Sequence, residues 1–117
     1  MHKATVSRIL AACLVLALAL VAGCSSARPA EPVARTIALV GGKPDGGPQR
    51  IEAAPGAKVT LTFTADTEDT IHVHGYEIEL AVAPGKPVVA DFVADKQGTY
   101  EIETHKSGNI IAQLVVR

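Results

Sequence analysis

Beyond Arg35 the chain is cut into short segments by turn-forming residues, and no segment carries a helical period. The cuts are Gly41-Gly42-Lys43-Pro44-Asp45-Gly46-Gly47-Pro48, Pro55-Gly56, Pro84-Gly85, Asp95-Lys96-Gln97-Gly98 and Lys106-Ser107-Gly108-Asn109. Gly, Pro, Asn and Asp reverse a chain because they tolerate or pre-set the backbone angles of turns. The remaining runs read as strands: Thr36–Val40, Arg50–Ala53, Lys58–Thr64, Ile71–Val82, Pro87–Val93, Tyr100–His105 and Ile110–Val116. In KVTLTFT (58–64) the alternation is clean, with Val59, Leu61 and Phe63 on one face and Thr60, Thr62 and Thr64 on the other. Residues 65–70 (ADTEDT) read as a loop. About seven short, regularly spaced strands predict an all-β domain over residues 34–117, an antiparallel sandwich or barrel. With two Phe and two Tyr in the whole chain, its core must be built mainly from Val, Ile, Leu and Ala.

The first residues do not belong to that domain. Lys3 and Arg8 precede an apolar run, Ile9 to Ala22, that contains no charge. Fourteen residues is short of the ~20 needed to span a bilayer and fits the apolar region of a secretory signal. The run ends in Val21-Ala22-Gly23-Cys24, which resembles the lipobox of bacterial lipoprotein signals. The resemblance implies cleavage of residues 1–23, acylation of Cys24, and a lipid anchor on the extracytoplasmic side of a cell membrane or outer membrane. Several acyl chains on one cysteine would hold a protein stably at a bilayer. Residues 24–33, polar and Pro-containing after the cysteine, read as the lipidated residue and its tether.

Cleavage would leave 94 residues with nine basic and twelve acidic side chains. That balance excludes nucleic acid as a partner, which calls for a basic stripe. It would also discard Cys13 and Met1 and commit Cys24 to lipid, so no disulfide framework and no sulfur ligand is expected in the domain.

Its remaining chemistry lies in three histidines, His72, His74 and His105. In Ile71-His72-Val73-His74-Gly75-Tyr76-Glu77-Ile78-Glu79-Leu80, read as one strand, His72 and His74 share a face with Ile78 and Leu80. Because Glu77 and Glu79 need water, that face is expected to be the core side. Two imidazoles there call for hydrogen bonds or a shared metal. Residues i and i+2 place their Cβ atoms about 6.5–7 Å apart at ~3.3 Å per residue, close enough for two rings to converge on one ion. His105, ending its strand, is the third candidate ligand; Glu68, Asp69 and Glu103 could ligate or orient the rings. The paired acids Glu77/Glu79 and Glu101/Glu103 read as solvated.

Two further stretches carry a family likeness. Val93-Ala94-Asp95-Lys96-Gln97-Gly98-Thr99-Tyr100 resembles the turn of cupredoxins, and Glu68-Asp69-Thr70-Ile71-His72 resembles the stretch bearing their first copper histidine. The hydrophobic end, residues 110–116, resembles their final strand. The resemblance implies a cupredoxin-like Greek-key β-sandwich. It also exposes departures: Thr104 stands where the copper cysteine would be, Ile110 stands near the methionine position, and the intervening loop is short. A thiolate-centred electron-transfer site is therefore not expected. The expected function is metal binding by an envelope lipoprotein, Cu(II) foremost and Zn(II) as the alternative, since imidazole without sulfur suits both. The competing reading is a metal-free β-sandwich that binds another envelope protein. With no Ser/His/Asp or Cys/His arrangement and no phosphate-binding loop, no enzyme is expected.

Overall fold

The computed structural model describes residue 23 and residues 26–117; the rest of the expected signal segment and the expected lipidation site, Cys24, lie outside the described residues. Among the described residues nine strands form: β1 (Val33–Val40), β2 (Lys43–Pro44), β3 (Gln49–Ala53), β4 (Lys58–Ala65), β5 (Asp69–Val73), β6 (Ile78–Val82), β7 (Val88–Val93), β8 (Gly98–Thr104) and β9 (Ile110–Val116). There is no helix among the described residues.

Two sheets face each other, one ordered β2-β1-β4-β7 and the other β3-β9-β8-β5-β6. Each contains one parallel pair, β1 with β4 and β3 with β9, so both sheets are mixed where the turn pattern predicts antiparallel ones. Hairpin turns announce antiparallel neighbours in sequence; a parallel pair joined through intervening strands has no such local sign.

The core sits between the sheets. Val59, Leu61 and Phe63 supply it from β4, as their alternation predicts, and meet Ile51, Ile71, Ile102 and Leu114 from the other sheet. All seven are at most 1% exposed. Aliphatic side chains dominate, and Phe63 is the largest fully buried one.

One expectation is overturned. IHVHGYEIEL is not one strand but the hairpin β5–β6, with the turn at residues 74–77. Ile71 pairs with Leu80 and Val73 with Ile78. Cross-strand partners share a face, so a four-residue turn reverses the odd–even pattern across it. Ile71 and Val73 are fully buried, and His72 and His74 stand on the outward face, not the core side. Gly75 (φ 81°) makes the reversal, and Glu77 (φ 52°) is the one non-glycine residue with positive φ among those described. The stretch read as a loop also gives up its end: Asp69 and Thr70 belong to β5, and Asp69 is buried.

Candidate metal centre

The outward face of the five-stranded sheet carries the histidines together. His72 lies mid-strand in β5, with Glu79 of β6 directly opposite on one side and Glu103 of β8 on the other. His74 enters the hairpin turn, its N–H donating to Glu101 O at 3.0 Å. His105 follows β8, its N–H donating to Thr70 O at 2.9 Å. The His72 ring centroid is 4.1 Å from that of His74 and 5.2 Å from that of His105. All three sequence-predicted residues therefore meet at one patch, with His72 and His74 on the opposite side of the sheet from the one expected.

The carboxylates complete it. Ligand-capable atoms of His72, His74 and Glu103 lie within 4.8 Å of one another, and so do those of His72, Glu79 and His105. His72 is common to both sets and is the most enclosed member, with its side chain 15% exposed against 42% for His74 and 41% for His105. Glu103 Oε1 is 2.8 Å from His74 Nε2 and 3.8 Å from His105 Nε2. His74 Nε2 is enclosed, with Glu103 Oε1 as its close polar neighbour. The contact with His74 holds the Glu103 carboxyl below the usual carboxylate range, against an opposing push from desolvation and helped by His105 and His72. Glu79, which reads in sequence as merely solvated, is a member because the hairpin register brings it beside His72.

Two networks set the flanks. On the His105 side, Asp69 Oδ1 accepts from the N–H groups of Thr70 (2.7 Å) and Lys106 (2.9 Å). Its Oδ2 accepts from Ser107 N (3.2 Å) and Ser107 Oγ (2.8 Å). Burial pushes the Asp69 carboxyl upward, but these donors outweigh it and hold the group below its ordinary range. Asp69 thus binds the turn after β8 rather than standing among the candidate ligands. Glu68 is also apart from them, 3.9 Å from Lys106 Nζ.

On the His74 side, the Tyr76 ring packs 4.6 Å from Phe92 and 5.3 Å from Tyr100 between centroids. Lys96 Nζ donates to Gly75 O at 2.7 Å. A Cβ at Gly75 would run into the Tyr100 ring, so glycine is required both for its φ and for the close approach. A glycine within an apparent strand was the one sequence signal for this turn.

Thr104 has a different environment. It is 1% exposed and faces inward; its Oγ1 lies 2.6 Å from Ser107 Oγ and accepts from Asn109 N at 3.1 Å. His72 and Thr104 therefore point to opposite sides of the sheet.

No protein-family model matches the sequence, and no curated protein matches it. Solved structures do match. A heme-copper terminal oxidase dimer has a chain that superposes with a TM-score of 0.58 at 20% identity, over 72% of this chain and 64% of that one. A copper binding protein in its apo form matches with a TM-score of 0.57 at 10% identity, over 72% and 86%. A multicopper oxidase matches with a TM-score of 0.58 at 20% identity, over 73% and 42%. The fold is a cupredoxin-like β-sandwich. The chain spans less than two thirds of the oxidase chains it resembles, and at these identities the likeness carries the fold alone.

Proposed function

We propose that this chain is a lipid-anchored envelope protein that binds a divalent transition-metal ion, Cu(II) foremost and Zn(II) as the alternative, on the outward His/Glu patch. The observation that carries this reading is the convergence of His72, His74 and Glu103 within 4.8 Å. The donor set fits such an ion. Bonds of about 2.0–2.1 Å place two ligand atoms roughly 2.9–3.4 Å apart on one ion. The 2.8 Å between His74 Nε2 and Glu103 Oε1 is close to that spacing, and the nitrogen is otherwise unpartnered. Nitrogen and carboxylate donors without sulfur favour Cu(II) in the affinity order of divalent ions. His72, His74 and Glu103 would hold the ion, with His105 and Glu79 able to join through His72. The copper-named structural neighbours support copper as the ion.

The role is binding, for storage, delivery or protection, and not catalysis or thiolate-centred electron transfer. Thr104, hydrogen-bonded and inward, stands where the resemblance would put the thiolate. That same hydroxyl network favours the competing reading, a domain that has lost its interior site and binds another envelope protein. The anchor rests on Val21-Ala22-Gly23-Cys24 and on the apolar run before it.

Cu(II) and Zn(II) titration of the full-length chain in detergent separates the two readings, repeated with His72→Ala and His74→Ala. Stoichiometric binding in the parent, weakened in both variants, is the expected result. Binding no tighter than that of free histidine, with both variants unchanged, would leave the protein-binding reading.

A further inference from the structure

Four hydrogen-bond donors converge on one buried side chain that is not among the candidate ligands. Asp69 begins β5, three residues before His72, and is 5% exposed. Its carboxylate takes the amides of Thr70, Lys106 and Ser107 and the Ser107 hydroxyl, all within 3.2 Å. A carboxylate offers about four acceptor sites, so it matches this set of donors, whereas an amide would present its own N–H groups to some of them.

The residue held in place by this arrangement is His105. Its own N–H is bonded to Thr70 O, and the next amide, that of Lys106, is bonded to Asp69 Oδ1. The preceding residue, Thr104, is paired with Ile71 in the β5–β8 ladder. The turn closes on itself through Gly108 N to Thr104 O at 3.0 Å. The backbone on both sides of His105 is therefore referenced to β5, the strand that carries His72. The 5.2 Å between the two rings follows from that frame.

We infer that Asp69 is a positioning residue of the metal centre, acting through the turn after β8 to hold His105 against His72. The inference rests on the metal-binding reading for its functional meaning, and on hydrogen-bond geometry for its structural one. Asp69 belongs to neither ligand-capable set, and its hydrogen bonds go to Thr70 and the turn. Without its carboxylate the Lys106 and Ser107 amides lose their partners, the turn lifts from β5, and His105 leaves the His72 side of the cluster.

The test is a cycle of variants of the full-length chain: parent, Asp69→Ala, His105→Ala and the pair. Cu(II) affinity is read by competition with a chelator and stability by thermal unfolding. Asp69→Ala and His105→Ala should each weaken binding about tenfold, the lower end of the effect of losing a supporting shell. The pair should be no weaker than His105→Ala alone, within about twofold on the criterion of coupled sites. The unfolding temperature should meanwhile drop by the same amount when Asp69 is replaced in either background, which separates positioning from loss of stability. In metal-free protein, the nuclear Overhauser contact between the His72 and His105 rings should vanish in Asp69→Ala.

Affinity losses that multiply in the pair overturn the inference, as does an Asp69→Ala protein that binds like its parent. If the parent binds no Cu(II), the metal reading falls. The ring contact in metal-free protein then decides the positioning separately: its persistence in Asp69→Ala overturns it. Should Asp69→Ala fail to fold, Asp69→Asn carries the same cycle: its amide N–H groups meet the Ser107 donors and unseat the turn in part, so a smaller affinity loss that vanishes in the His105→Ala background is expected, and no loss overturns the inference.

Discussion

His72 belongs to both ligand-capable sets, and His74 and His105 belong to one each. Replacing His72 should therefore weaken Cu(II) binding more than replacing either neighbour. We expect a loss of at least about a hundredfold against about tenfold, direct ligation exceeding the ten- to hundredfold range of groups that only support a metal site, measured by chelator competition. Because His72 lies outside the core cluster, the same substitution should cost no more than about 1 kcal/mol, the centre of the range for single mutations. A large stability loss would instead identify His72 as a packing residue. Gly75 is the opposite case. Ala there must adopt φ near 81° and drive its Cβ into the Tyr100 ring. Gly75→Ala should cost about 2 kcal/mol or more in urea unfolding and should lower metal affinity by moving His74. Neither effect follows from the chemistry of the residue alone; each comes from which side of a strand or turn it occupies.

At the level of elements, the candidate metal patch is a three-strand product. β6, β5 and β8 contribute Glu79, His72 and Glu103 in one row, and the two turns flanking β5 and β8 contribute His74 and His105. The register between β5 and β8 is reinforced by Asp69, whose carboxyl lies below its ordinary range in the folded chain. The sign of the consequence follows from linkage. A group whose folded pKa is depressed adds stability above its unfolded value of about 3.9, and that stability is lost as pH falls through the folded value. Acid unfolding of the parent should therefore steepen below about pH 4. Asp69→Asn should flatten that limb and lower stability at neutral pH by about 1–3 kcal/mol, the cost of leaving buried donors unpaired. Equal acid profiles for parent and variant would remove Asp69 from the account. The turn at residues 74–77 has a matching support in Tyr76, packed between Phe92 and Tyr100.

For the whole molecule, the core and the patch are separated by one sheet. The core is closed by Ile71, Val73 and Ile102 on the inner side of β5 and β8. The histidines and glutamates occupy the outer side of the same strands. A ligand of the outer side that binds only the folded chain must stabilise all of it by mass action, by about 2.7 kcal/mol at a hundred times its Kd. For a domain of this size that is a rise in Tm on the order of 10 °C. Cu(II) should produce such a rise at pH 7.5, and the rise should shrink near pH 5.5. Protons compete with the ion for imidazole, which ligates only when neutral. His72→Ala should abolish the shift at both pH values. A Tm unmoved by Cu(II) in the parent would count against the patch as a metal centre.

The strand content was legible because alternation and turn residues are local properties. Val59, Leu61 and Phe63 alternate with threonines, and they are buried as that pattern requires. The identity of the three histidines was legible because few other side chains in the domain can hold a soft or borderline ion. Which way they point was not. One glycine converts an apparent strand into a hairpin, and a four-residue turn then exchanges inward for outward positions. Glu79 could join the patch only through that register, and Asp69 could leave it only through its contacts with a turn 37 and 38 residues away in sequence. The sequence by itself determined an all-β chain and singled out His72, His74 and His105 as its candidate ligands. The tertiary structure decided the face, the acidic neighbours and the parallel pairings, because cross-strand register is set by contacts between residues that no local pattern connects.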